Sequence, residues 1–228
     1  MKRILLLTVF MAAGSSVAWA TACTSGSLAS YEALGSAGCT IGDLIFSNFS
    51  YSTAPVGLAP SDSQVTLTFS SGSETGFTMT ASPNWSAGIG NFSDYSMSYN
   101  VSVNTAICPT CTIDDALLAM TAQVAAGGLL ALISESNLSP PPNVDLALST
   151  PPSMCYPSAC TVQQSFAGTS SLAMFKDIFV DGATISNITQ EFSVAQTPEP
   201  ASLALLGTAL FGAGFLLRRR LHKKTSEE

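Results

Sequence analysis

Residues 95–103, Tyr-Ser-Met-Ser-Tyr-Asn-Val-Ser-Val, alternate apolar and polar side chains without a break. Only an extended strand turns a period of two into one apolar and one hydroxyl-rich face, because its successive side chains point to opposite sides. Tyr95, Met97, Tyr99, Val101 and Val103 are therefore expected to face a core. Val65, Leu67 and Phe69 alternate with Thr66 and Thr68 in the same way. The pattern resumes at residues 77–80 after Ser71-Gly72-Ser73-Glu74, which reads as a hairpin loop.

Other stretches need more interpretation. Along residues 44–51, Leu44 and Phe46 share one face while Phe49 and Tyr51 fall on the other. A bulge near Ser47-Asn48, or burial on both faces, reconciles them. The segment 114–132 opens like a helix, with Asp114 and Asp115 ahead of good helix formers. Read as strands, 116–121 and 129–133 flank a Gly127-Gly128 turn, and this hairpin is favoured. Residues 161–166, 172–180 and 183–194 add further strands, with Asp181-Gly182 as a tight turn between the last two. About nine short strands with polar turns predict an all-β fold, a β-sandwich or jelly roll.

Charge is distributed unevenly. Between residues 21 and 196 the sole cation is Lys176, set against twelve Asp and Glu. Such a surface repels phosphate backbones and has no basic groups to displace their counterions, so nucleic acid is excluded as a partner. The same stretch is too rich in aromatic and β-branched residues for disorder. Ser and Thr supply 48 of the 180 residues from 21 to 200, so solubility rests on hydroxyls more than on ions.

The basic residues lie at the two ends, beside apolar runs. Lys2 and Arg3 precede an apolar stretch over 4–13, and Ala18 and Ala20 provide the small side chains of a signal-peptidase site. Residues 1–20 thus read as a secretory signal helix. At the other end, Pro198-Glu199-Pro200 forms a stiff non-helical stub. Residues 201–217 follow without a charge, a helix of roughly 25 Å. Arg218, Arg219 and Arg220 then orient that end to the cytoplasm.

This order of Pro-Glu-Pro, apolar helix and arginine cluster resembles the PEP-CTERM sorting signal of bacteria. The resemblance covers about thirty C-terminal residues. It implies a membrane-spanning helix at 201–217 with a basic tail at 218–228, and processing by an exosortase-type enzyme. It also implies an inner-membrane-anchored precursor that ends at the cell surface or outside the cell. The chain divides accordingly into a signal (1–20), an ectodomain (21–196) and a sorting segment (197–228).

Six cysteines, Cys23, Cys39, Cys108, Cys111, Cys155 and Cys160, fall in the exported part. An even number in an oxidising compartment favours three disulfides, with fifteen connectivities open. Local pairing of neighbours, 23 with 39, 108 with 111 and 155 with 160, is the working hypothesis.

Catalytic signatures are sparse. The single histidine, His222, lies in the basic tail, so a Ser-His or Cys-His pair in the ectodomain has no base. Cys108-Pro-Thr-Cys111 lacks the βαβ setting of a redox motif and reads as a structural bridge. Lys176 reads as a solvated or ion-paired side chain. Asp114, Asp115, Asp177 and Asp181 offer oxygen ligands for calcium but form no loop of recognised pattern, so acidic turns kept for solubility are the expectation. No catalytic, cofactor or metal residues are assigned, and a non-catalytic structural or interaction ectodomain is expected. The alternative is a carbohydrate-binding or adhesive module of an exopolysaccharide matrix, using Trp85, Phe92 and Tyr95 as stacking platforms.

Overall fold

The alternating run at 95–103 lies within a twelve-residue strand, β7 (Phe92–Val103), in which Tyr95, Met97, Tyr99, Val101 and Val103 are all buried. The computed structural model describes residues 21–55, 59–150, 155, 159–196, 205 and 207–210. The chain opens with β1 (Thr21–Ala22), β2 (Gly26–Ser27), a short helix α1 (Leu28–Glu32) and β3 (Cys39–Ile41). There follow β4 (Leu44–Ala54), β5 (Val65–Ser70), β6 (Thr75–Ser86), β7, β8 (Cys111–Val124) and β9 (Leu130–Asn137). The last four strands are β10 (Asp145–Thr150), β11 (Cys160–Thr169), β12 (Ser171–Asp181) and β13 (Ala183–Gln196).

These strands form two sheets, ordered β1-β3-β4-β7-β12-β9-β10 and β11-β8-β13-β6-β5-β2. All pairings are antiparallel except that of β1 with β3. Strand and core patterns are therefore those of two layers packed over one apolar interior. Phe46, Phe77, Tyr99 and Phe192 meet there, the first two with ring centroids 5.6 Å apart. The expected hairpin of 65–70 and 75–86 is present, with Val65 opposite Ala81 and Ser70 opposite Gly76.

The bulge resolves the awkward run at 44–51. In the β4–β7 ladder Ser47 faces Asn100 and Ser50 faces Ser98, so one extra residue is accommodated on β4. Asn48 takes it up with φ at +53°. Asn tolerates that conformation better than bulkier residues. Leu44, Phe46 and Phe49 are consequently all buried.

Two expectations about pairing are corrected. Residues 116–121 and 130–133 lie in strands, but not in a hairpin: β8 belongs to the second sheet and β9 to the first. Likewise Asp181-Gly182 does not join two paired strands, because β12 and β13 belong to opposite sheets. Each is a corner that carries the chain across the core. Periodicity fixes which side chains face inward, but either a neighbour or an opposing layer can supply what they face. The corners are hydrogen-bonded to each other, from Ala125 N to Gly182 O (3.0 Å) and from Leu129 N to Asp181 O (3.0 Å).

The signal segment with Ala18 and Ala20, the motif Pro198-Glu199-Pro200, and Arg218, Arg219 and Arg220 lie outside the described residues. Of 201–217, residues 205 and 207–210 are helical, and Leu205 and Leu210 are exposed. Among the described residues no helix is long and apolar enough to cross a membrane.

Candidate functional site

Three inward-facing apolar series are each broken by one polar residue. On β12, Lys176 stands in the row Leu172, Met174, Ile178, Val180; on β9, Glu135 follows Ala131 and Ile133. On β13, Gln190 stands between Ile188 and Phe192. Lys176 and Glu135 are register partners on adjacent strands of the first sheet, and Gln190 reaches them from the second. Lys176 Nζ donates to Glu135 Oε2 at 2.8 Å and to Gln190 Oε1 at 3.1 Å. Tyr99 Oη donates to the other carboxylate oxygen, Oε1, at 2.6 Å.

All four side chains are shut off from solvent. Desolvation lowers the Lys176 pKa, opposed by the charge and hydrogen bond of Glu135. The Tyr99 phenol is driven well upward, first by burial and then by the Glu135 carboxylate. Gln190 Nε2 is buried with no hydrogen-bond partner among the described residues, an uncommon state for an amide nitrogen. Lys176 is thus ion-paired, as one branch of the sequence reading had it, but in the core. The interruption of each apolar row was the available signal for Glu135 and Gln190, which the sequence reading passed over.

A second feature lies on the outer face of the first sheet. A groove of about 260 Å³ is lined by Ser52, Thr53, Ala54, Asp94, Ser96, Phe175 and Asp177. Burial, together with the hydrogen bond and charge of Asp94, raises the Asp177 pKa to about 6. Phe92 and Phe179, each two residues along its strand from one of these carboxylates, stack with centroids 5.9 Å apart and planes at 21°. Phe92 is 64% exposed.

Two of the three expected stacking platforms are not on the surface. Trp85 and Tyr95 are completely buried. Trp85 Nε1 donates to Tyr51 Oη at 3.1 Å, and Tyr95 Oη donates to the carbonyl of Ala59 at 2.8 Å. Their polar tips are satisfied inside the protein, so their apolar bodies are free to join the core. Of the candidate calcium ligands, Asp115 accepts from Gln163 Nε2 and Ser165 Oγ, both at 2.9 Å. Among the described residues, no three His, Cys, Asp or Glu side chains converge on a metal-sized site.

The cysteines are joined as Cys23–Cys39, Cys108–Cys111 and Cys155–Cys160. The Cys108–Cys111 bridge leads into strand β8 and not into a helix, so it lacks the helix N-terminus that favours a thiolate in a redox motif.

β13 ends at Gln196. From that residue onward, 196–220, the sequence matches the family model of the PEP-CTERM protein-sorting motif. The chain carries a PEP-CTERM sorting motif. Pro198, Glu199, Pro200 and the three arginines all fall within the PEP-CTERM match. No curated protein matches the chain.

Solved structures with some likeness to this chain include TmCBM61 in complex with β-1,4-galactotriose. The TM-score is 0.31 and the identity 8%, over 65% of this chain and 88% of that one. A family 11 carbohydrate-binding module from Clostridium thermocellum, in complex with a β-1,3-1,4-mixed-linked tetrasaccharide, gives a TM-score of 0.28. Its identity is 10%, over 67% of this chain and 91% of that one. The enzymatically active domain of bacteriophage CBA120 tailspike protein 4 gives 0.29 and 12%, over 66% of this chain and 20% of that one.

Proposed function

We propose that this is an exported protein of the bacterial surface or extracellular matrix, held at the inner membrane by its C-terminal segment until an exosortase-type enzyme processes it. The observation that carries the reading is the PEP-CTERM match at 196–220, which starts where the last strand of the ectodomain ends. The expected signal at 1–20 and the cation-poor ectodomain agree with export. The ectodomain itself serves as a non-catalytic structural or interaction module. Mass spectrometry of both termini, in cell and medium fractions, tests this. The mature extracellular form should begin near residue 21 and lack the 201–228 tail; an intact tail on that form refutes processed sorting.

One observation favours a second, narrower reading. The exposed ring of Phe92, stacked on Phe179, stands beside a groove that carries the hydroxyls of Ser52 and Ser96 and the carboxylates of Asp94 and Asp177. Sugar rings stack on aromatic faces while their hydroxyls bond to carboxylates and alcohols. On this reading the ectodomain adheres to exopolysaccharide through the outer face of the first sheet. A polysaccharide panel tests it: saturable binding by the wild-type ectodomain is expected, and absence of binding across the panel leaves the structural role alone.

A further inference from the structure

The buried cluster holds the three groups needed to make a covalent bond. We infer that Lys176 and Gln190 condense into an intramolecular isopeptide bond, with Glu135 transferring the protons, so that the two sheets become covalently joined through the core. The amine stands 3.1 Å from Gln190 Oε1, the oxygen bonded directly to the amide carbon that it would attack. Glu135 Oε2 lies 2.8 Å from the same amine, placed to accept its proton. Tyr99 holds the other carboxylate oxygen and acts as a positioning residue. The amide nitrogen that must leave, Gln190 Nε2, has no hydrogen bond among the described residues to retain it.

The step balances without any external reagent. The Lys176 ammonium passes a proton to Glu135, and the freed lone pair of Nζ forms a bond to Gln190 Cδ. Collapse of the tetrahedral adduct breaks the Cδ–Nε2 bond. Nε2 takes one proton from the amine by way of Glu135 and departs as ammonia, leaving a secondary amide. The second amine proton remains on Glu135, so the opposite charges of the ion pair end as neutral groups. Two physical factors favour the reaction. Exclusion of water removes hydrolysis as a competitor, and burial disfavours the charged, non-nucleophilic form of the amine.

The experiment is intact mass spectrometry of the full exported protein after denaturation and reduction, followed by peptide mapping. The expected mass is lower than that of the linear chain by one ammonia. The expected digest contains a branched peptide linking Lys176 to Gln190. Glu135→Gln and Gln190→Leu should each restore the full mass. A wild-type protein of unreduced mass, or an ammonia loss that maps elsewhere, overturns the inference. Should the variants fail to fold, the wild-type peptide map alone decides it.

Discussion

Gly128 and Gly182 press against each other where the chain crosses twice between the sheets: a Cβ on Gly128 would stand 2.2 Å from the Gly182 carbonyl oxygen. A Cβ on Gly182 would likewise lie 2.5 Å from Gly128 Cα, and Gly182 has φ at +57°. Gly128→Ala should destabilise the fold by about 2 kcal/mol, since backbone on the other side cannot move aside as a side chain would. Gly72→Ala is the control, because its nearest neighbour would be 3.8 Å away. Thermal melts of the two variants should differ by several degrees; equal melts would mean that the corners are not in contact.

Asp177 makes stability depend on pH in an unusual direction for a carboxylate. Its folded pKa of about 6 exceeds the ordinary 3.8, so between those values the folded state binds the proton more tightly than the unfolded chain does. The contribution of this group therefore falls as pH rises through that window. The groove opens to solvent, and screening reduces the effect to about 1 kcal/mol. Asp177→Asn should stabilise the protein at pH 8 and lose that advantage at pH 4. A gain of equal size at both values would rule the carboxylate pair out as its source.

Two of the three candidate platform residues, Trp85 and Phe92, should respond oppositely to truncation. Trp85→Ala empties a fully buried site and leaves Tyr51 Oη without its donor. A loss of about 4 kcal/mol in denaturant unfolding is expected. Phe92→Ala should change stability by less than about 1 kcal/mol, because the ring is mostly exposed. On the adhesive reading Phe92→Ala instead weakens polysaccharide retention, which affinity electrophoresis would register.

Among the disulfides, the widest loop should matter most to stability. Cys23–Cys39 spans 16 positions and Cys108–Cys111 only 3. Chain-entropy reasoning puts removal of the first at about 3 kcal/mol and of the second at about 2 kcal/mol. Paired Cys→Ser variants, unfolded by urea, should follow that order.

Much of the fold was legible because alternation is a local property. The rows at 95–103 and 65–69 needed no knowledge of partners, and even the β4 bulge was visible as a change of face between Phe46 and Phe49. The failures concern relations between distant segments. Gly127-Gly128 and Asp181-Gly182 have the composition of hairpin turns, yet each carries the chain to the opposite sheet, and nothing local distinguishes the two. Alternation places Tyr95 inward, and it is buried; only the adhesive alternative puts it, with Trp85, on the surface, for a related reason. An aromatic ring with a polar tip suits a surface as well as a core, and only the positions of Tyr51 and Ala59 settle which. The buried Lys176–Glu135–Gln190 cluster sits between: each polar interruption was readable alone, but their convergence was not.

Gln196 is both the last residue of β13 and the first residue matched by the PEP-CTERM sorting motif. β13 is paired along both edges, with β8 from Ala183 to Gln196 and with β6 from Thr184 to Phe192. Tension applied through the tail runs along the axis of this strand, so two ladders must shear together before it slides, and neither can unzip bond by bond. If the domain is held by its tail, as the proposed function has it, a pull on that tail would load the strand that is paired along both edges.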